Sequence, residues 1–203
     1  TFFFYSYYYI LLVVSEVVFV IYVGVGIDNF HVSILCFILF GKFIIFVSLF
    51  IHTTMNPFEI IDKYYNPESD LYHILVSHSQ DVARLALTFA RRRPDLNPDL
   101  RFIEEASLLH DIGIFQTDAS GICCHGTHTY ICHGFLGAEI MRSEGYPRHA
   151  LVCERHTGTG LSLDYIESNH LPIPHRDMLP VSVEEQVICY ADKFFSKTHL
   201  GQQ

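Results

Sequence analysis

Polar and apolar positions along the 203-residue chain follow two different rules. From Thr1 to about Thr54 the residues are almost wholly Phe, Tyr, Ile, Val and Leu, with Glu16, Asp28 and Lys42 as the only charges. Beyond Met55 the apolar residues recur every three or four positions, the spacing of one helix face. After His78 come Val82, Leu85, Ala86 and Phe89, and Ile103, Ala106 and Leu109 lead to His110. A third stripe joins Val187, Ile188, Ala191 and Phe195 around Asp192. In each case a titratable side chain falls on or beside a face that should pack inward.

Punctuation supports a helical reading of the second regime. Asn56-Pro57, Asn66-Pro67 and Asn97-Pro98 each offer a cap followed by proline at the first helical position. Ser182 and Glu185 form a capping box for the last helix. His133 opens a helix closed by Gly145, and Pro147 opens the next, which runs to about His156. The expectation is an all-α domain, a compact bundle of about six or seven helices over residues 55–203, preceded by a hydrophobic extension at residues 1–54. Two long segments, Phe115 to Cys132 and Thr157 to Val181, fit no helix, and loops of that length usually serve as lids or binding loops. There is no internal repeat.

In the first regime, Phe2 to Ile27 and Val32 to Ile51 are each long enough to cross a bilayer as a helix. Lys42 would cost roughly 2.5–3.5 kcal/mol at a helix centre, which about fifteen apolar neighbours at roughly 0.3–0.6 kcal/mol each outweigh. Against an anchor stand the lack of any Lys or Arg before Lys42 and of a cleavage-site pattern. Since Met55 is the first methionine, the stretch reads either as a membrane hairpin or as translated upstream sequence. The six cysteines carry no secretory context, and Cys189 falls within a core helix pattern, so reduced thiols in the cytoplasm are expected. The alternative is a membrane-anchored chain with its helical domain in the cytoplasm.

A formal net charge of −9 and the lack of a basic stripe argue against a nucleic-acid module. The short run Arg91-Arg92-Arg93 ends a helix, where cations suit the dipole. Buried imidazole and carboxylate without partners cost roughly 1–3 kcal/mol each. A divalent metal is the partner that suits both.

The order His78, then His110-Asp111-Ile112-Gly113, then Asp192, all in helical context, resembles the HD superfamily of metal-dependent phosphohydrolases, of which HDIG is a signature string. The likeness covers roughly residues 70 to 199. It implies that His78, His110, Asp111 and Asp192 hold one metal. Members with two metals add histidines in the middle region, and His133 and His156 stand where these would be, so Asp111 would bridge to a second ion. Divalent Fe, Mn, Co, Ni or Zn would serve. Two such ions clamp a phosphate and lower the pKa of a water between them.

The implied activity is hydrolysis of a phosphate mono- or diester, with a small phosphorylated metabolite or nucleotide as partner and contact with a membrane only through residues 1–54. Asp111 and Lys193 are the expected catalytic residues. Lys193, Arg155 and Arg84 are candidates for the substrate's charge, and His125 and His128 for contacts from the first long loop. Cys123, Cys124, His125, His128 and Cys132 match no paired-cysteine zinc spacing, so a lid is the better reading of that loop. The superfamily often carries Lys or Glu three residues after the motif aspartate, whereas this chain has Ile114, which leaves the general acid open. Di-iron oxygenases that share the ligand set, and a nucleotide sensor without turnover, are the alternatives.

Overall fold

Capping and apolar periodicity build seven helices, α1 (Pro57–Tyr64), α2 (Asp70–Arg91), α3 (Leu100–Leu109), α4 (His133–Ser143), α5 (Pro147–Arg155), α6 (Leu163–Ser168) and α7 (Val183–Asp192). This computed structural model describes residues 6–14, 17–25, 31–40, 43–52 and 55–197. The chain divides into two units, Thr1–Met55 and Asn56–Gln203.

The first unit contains strands β1 (Ser6–Val14), β2 (Val17–Val25), β3 (His31–Phe40) and β4 (Phe43–His52). β1 pairs with β2 and β3 with β4, both antiparallel. The described residues of these two windows therefore form strands and not the spanning helices that length alone would allow. Val, Ile, Phe and Tyr, which dominate both windows, lose rotamer freedom in a helix and favour extended backbone. Among the described residues no helix is long and apolar enough to cross a membrane.

In the second unit two of the predicted caps form as written. The Asn56 side chain accepts from the Phe58 amide at 3.1 Å ahead of Pro57, and Ser182 Oγ accepts from the Glu185 amide at 3.1 Å. The other two are displaced. Asn66 caps only a turn, accepting from Glu68, and Ser69 caps α2. Asn97 takes a left-handed conformation at φ 46°, and Asp99 caps α3. In both places a side chain two or three residues further on stands at the actual helix entry, and the Asn-Pro pair becomes the preceding turn.

The main core unites α2, α3, α5 and α7 through Val82, Ala86, Phe102, Ile103, Ala106, Val152, Ile188 and Ala191. Neither long segment is structureless. Residues 114–132 contain short helical turns and a three-stranded sheet made of β5 (Thr117–Ala119), β6 (Cys124–His125) and β7 (His128–Thr129), with β5 in the middle. β5 runs antiparallel to β6 and parallel to β7. Residues 157–181 contain α6 and close on themselves through a Leu161–Met178 bridge, packing Leu161, Ile166, Ile173 and Met178 against Cys132 and Leu136. Their buried apolar positions lie too far apart in sequence to register as one face.

Candidate metal centre

Five helices deliver the site's side chains to one place. His78 lies mid-way along α2 on its buried stripe, His110 is the residue that ends α3, His133 opens α4, and His156 follows the last residue of α5. Asp111 comes one step after α3, and Asp192 is the last residue of α7. The four histidines and Asp111 are buried, with His78, His110 and Asp111 fully so. Asp192 keeps slight exposure at 19% of its side chain.

The turn that carries the motif is fastened by a side chain not suspected from sequence. Tyr65, buried just after α1, donates its hydroxyl to the Ile112 carbonyl at 2.7 Å. Gly113 has another role than ending a helix. Its φ of −85° is ordinary, but a Cβ there would stand 2.3 Å from the His133 carbonyl oxygen and 2.4 Å from the Gly137 amide nitrogen. Only a glycine lets the motif turn and α4 approach so closely, and this approach brings His133 beside Asp111.

Asp111 stands at the middle. Its Oδ2 faces His110 Nε2 at 3.1 Å and His78 Nε2 at 3.2 Å, and its Oδ1 faces His156 Nε2 at 3.4 Å and His133 Nε2 at 3.5 Å. Asp192 Oδ1 meets His78 Nε2 at 2.9 Å and His110 Nε2 at 3.4 Å. The donors thus form two groups, His78, His110, Asp111 and Asp192 in one and Asp111, His133 and His156 in the other, each tight enough to hold a metal ion. Each Asp111 oxygen faces one group.

The tautomers are fixed by the second ring nitrogens. Nδ1 of His110 donates to the Ser107 carbonyl at 2.7 Å, Nδ1 of His133 to Tyr130 at 2.6 Å and Nδ1 of His156 to Cys153 at 2.8 Å. A carbonyl only accepts, so Nδ1 carries a proton, and each ring in its neutral form presents the Nε2 lone pair inward. Yet His133 Nε2 and His156 Nε2 are 3.0 Å apart, and His78 Nε2 and His110 Nε2 are 3.3 Å apart. Lone pairs facing one another and a carboxylate repel unless a cation stands among them. Both Asp111 oxygens are crowded by nitrogens, but neither accepts a hydrogen bond of regular geometry from the described residues. The donor set therefore fits divalent metal.

Without a metal cation among them, the carboxylates and imidazoles compensate one another's charge. Burial alone would push the His110 imidazole down, but Asp111 and Asp192 beside it raise it to about 10. Burial would raise the Asp111 carboxyl, yet Lys197 and His110 hold it well below its ordinary range. Asp192 is likewise lowered by His110 and His78 against the effect of burial. His133 is pushed down to about 4, mainly by burial and only partly restored by Asp111, so it is a neutral donor at ordinary pH.

The remaining sequence candidates lie elsewhere. Lys193 caps the end of α7 and is exposed, and it is Lys197 whose ammonium reaches Asp111 Oδ2, at 2.5 Å, with burial opposing and Asp111 raising its pKa. Arg155 pairs with Glu185 at 2.9 Å, and exposed Arg84 pairs with Asp81 at 3.1 Å. His125 and His128 are exposed on the small sheet. Among the described residues no metal group forms from the cysteines and histidines of this segment. Ile114 is wholly buried in the core, which accounts for the apolar residue there. Reasoning from sequence missed Tyr65 and Lys197. A lysine one helical turn beyond Lys193 was the available signal for the latter.

Comparison with known proteins follows the same lines. The model of the HD domain family matches residues 75–196, and the chain belongs to that family, whose members are typically metal-dependent hydrolases. An uncharacterized protein of Methanocaldococcus jannaschii is 34% identical over 127 residues, which are 61% of this chain and 68% of that protein. tRNA (cytidine(56)-2'-O)-methyltransferases of Thermoplasma volcanium and Picrophilus torridus are 31% and 30% identical over 60% and 61% of this chain. In each of these two the match spans only 32% of the relative's length. No solved structure gives a significant match.

Proposed function

We propose that this chain is a metal-dependent phosphohydrolase that cleaves a phosphate ester of a small molecule, with a nucleotide as the favoured substrate. The observation that carries the reading is the division of Asp111, with one oxygen toward His78 and His110 and the other toward His133 and His156. A carboxylate shared in this way is the arrangement that holds two cations side by side. His78, His110, Asp111 and Asp192 would hold one, and Asp111, His133 and His156 the other. Two divalent ions supply Lewis-acid polarisation of a phosphoryl oxygen and a water acidic enough to react near neutral pH.

The chain's own residues perform the rest. Backbone carbonyls lock three histidines in the tautomer that aims Nε2 inward. Lys197 places one positive charge at the edge of the cluster, where phosphate oxygens arrive, and so takes the role expected of Lys193. In the overall reaction a water oxygen bonds to phosphorus, the ester P–O bond breaks, and the alcohol departs with one of the water's protons.

The names of the methyltransferase relatives raise RNA as a setting, but a net charge of −9 supports a small substrate over a nucleic acid. Buried thiols at Cys153 and Cys189, which face the carbonyls of Leu109 and His156, support a reducing cytoplasmic compartment. Loading the chain in turn with manganese, iron, cobalt and nickel and screening phosphate esters for phosphate release tests the proposal. Metal-dependent release supports it. Oxygen uptake without phosphate release would identify an oxygenase, and metal-dependent nucleotide binding without turnover a sensor.

A further inference from the structure

Beside the cluster lies a cavity of about 510 Å³, within the range of small-molecule sites. Ala119, Gly121 and Ile122 from the small sheet and its turn line one part, and Tyr130, Phe195 and Lys197 another. Two of these reach the metal-binding residues directly. The Lys197 ammonium touches Asp111, and the Tyr130 ring stacks on His133 with centroids 4.6 Å apart and planes 21° from parallel. The cavity thus adjoins the metal-binding residues through two of its own walls.

Its walls are selective in two respects. Tyr130 and Phe195 are aromatic, and Ala119 and Ile122 are apolar, so the chamber favours a flat, weakly polar group over a polyhydroxylated one. Lys197 is the only cationic side chain among the described lining residues, and it lies at the inner end. A second and third phosphate extending into the chamber would lose water without gaining a counter-charge.

Resting on the phosphohydrolase reading above, we propose that the cavity between Tyr130, Phe195 and the Gly121 turn receives the ring-bearing alcohol of a phosphate monoester, a nucleoside monophosphate rather than a di- or triphosphate or a sugar phosphate. Lys197 meets its single phosphate, and Tyr130 and Phe195 flank its ring. Gly121 sets the room available. A Cβ built there meets nothing within 4 Å, so a larger side chain fits at this cavity-lining position without pressing on the protein.

Gly121→Trp therefore provides the test, with Phe195→Ala as a second variant that opens the cavity instead of filling it. On the metal-loaded full chain, Gly121→Trp should raise KM for nucleoside monophosphates at least about tenfold more than for glycerol phosphate. Binding of a non-hydrolysable nucleoside phosphonate, followed by calorimetry, should weaken about tenfold in both variants. Wild-type kcat/KM should be at least about tenfold lower for the triphosphate than for the monophosphate. Equal effects of Gly121→Trp on both substrates, with phosphonate binding unchanged in both variants, would overturn the assignment of the cavity. Equal use of mono- and triphosphates would overturn the single-phosphate claim. If the wild-type chain binds the phosphonate as expected but cleaves no phosphate ester, the hydrolase reading fails while the cavity assignment stands.

Discussion

Two carboxylates are buried within a few residues of one another's neighbours, Asp111 beside His156 and Glu154 two positions before that histidine, and they are treated in opposite ways. Glu154 is 4% exposed, its Oε1 accepts from Arg176 Nε at 2.6 Å, and its Oε2 is gripped by Arg142, which also holds Glu139. Guanidinium groups from three-dimensionally separate segments thereby satisfy it, and the result is a fastening between α4, α5 and the loop at Arg176. Asp111 has no exposure, faces four imidazole nitrogens and one ammonium, and accepts no regular hydrogen bond from the described residues. A buried acid whose partners donate in good geometry holds the fold together. One ringed by lone pairs is arranged for something that binds.

The comparison breaks most visibly at its functional end. Asp111→Ala should remove both metals, since it deletes the ligand the two groups share, and should lower hydrolysis about a thousandfold or more, about 4 kcal/mol of transition-state stabilisation. Metal counting by mass spectrometry alongside steady-state kinetics checks this, and retention of either ion at full occupancy would contradict the shared role. His156→Ala should leave about one metal per chain and reduce turnover by roughly a hundredfold. Two metals and near-normal turnover in that variant would leave a single-metal site on His78, His110, Asp111 and Asp192.

At the structural end the effects are smaller and of another kind. Glu154→Gln should cost about 1–3 kcal/mol of stability, below the roughly 3–5 kcal/mol of a fully buried broken pair because both arginines reach solvent, and should leave the metal count unchanged. Burial raises the Glu154 carboxyl, but Arg176 and Arg142 lower it below its ordinary value of 4.5 on balance. A depressed folded-state pKa gives stability that is present above 4.5 and lost as pH falls through the folded value. Denaturant unfolding as a function of pH should accordingly show a wild-type loss on acidification that the variant lacks in part. The smallest effect is expected from deleting residues 1–54. A chain beginning at Met55 should keep its helical circular dichroism and its turnover within about twofold, because all the site's donors and the main core lie in the second unit. Loss of folding on that deletion would show that the core needs the first unit.

Much of the site was legible in the chain because helix periodicity is a local property. His78, His110 and Asp192 could be placed on inward faces by counting, since each sits among apolar neighbours three and four residues away. Gly145 and Pro147 delimit the helices that begin at His133 and end before His156, but only the resemblance to the HD superfamily placed these two histidines in the site. The caps were half legible. Asn-Pro pairs mark a turn as readily as a helix entry, and Ser69 and Asp99 won the entry at two of the three.

What only the tertiary structure decided depends on chain segments meeting from far apart. After α7, successive i to i+3 bonds from Lys193, Phe194 and Phe195 turn the backbone, so that Lys197 and not Lys193 returns to Asp111. No periodicity extends through such a turn. Tyr65 reaches Ile112 across 47 positions, and Arg176 reaches Glu154 across 22, neither of which leaves a mark in local sequence. The strands of the first unit and the small sheet of the second belong to the same class, because a strand satisfies its backbone through a partner segment whereas a helix does so within itself. Sequence determined which titratable residues lie on inward helix faces, since a helix face is set within a few turns. Packing between distant segments decided which oxygen of Asp111 faces which histidines and which lysine attends it.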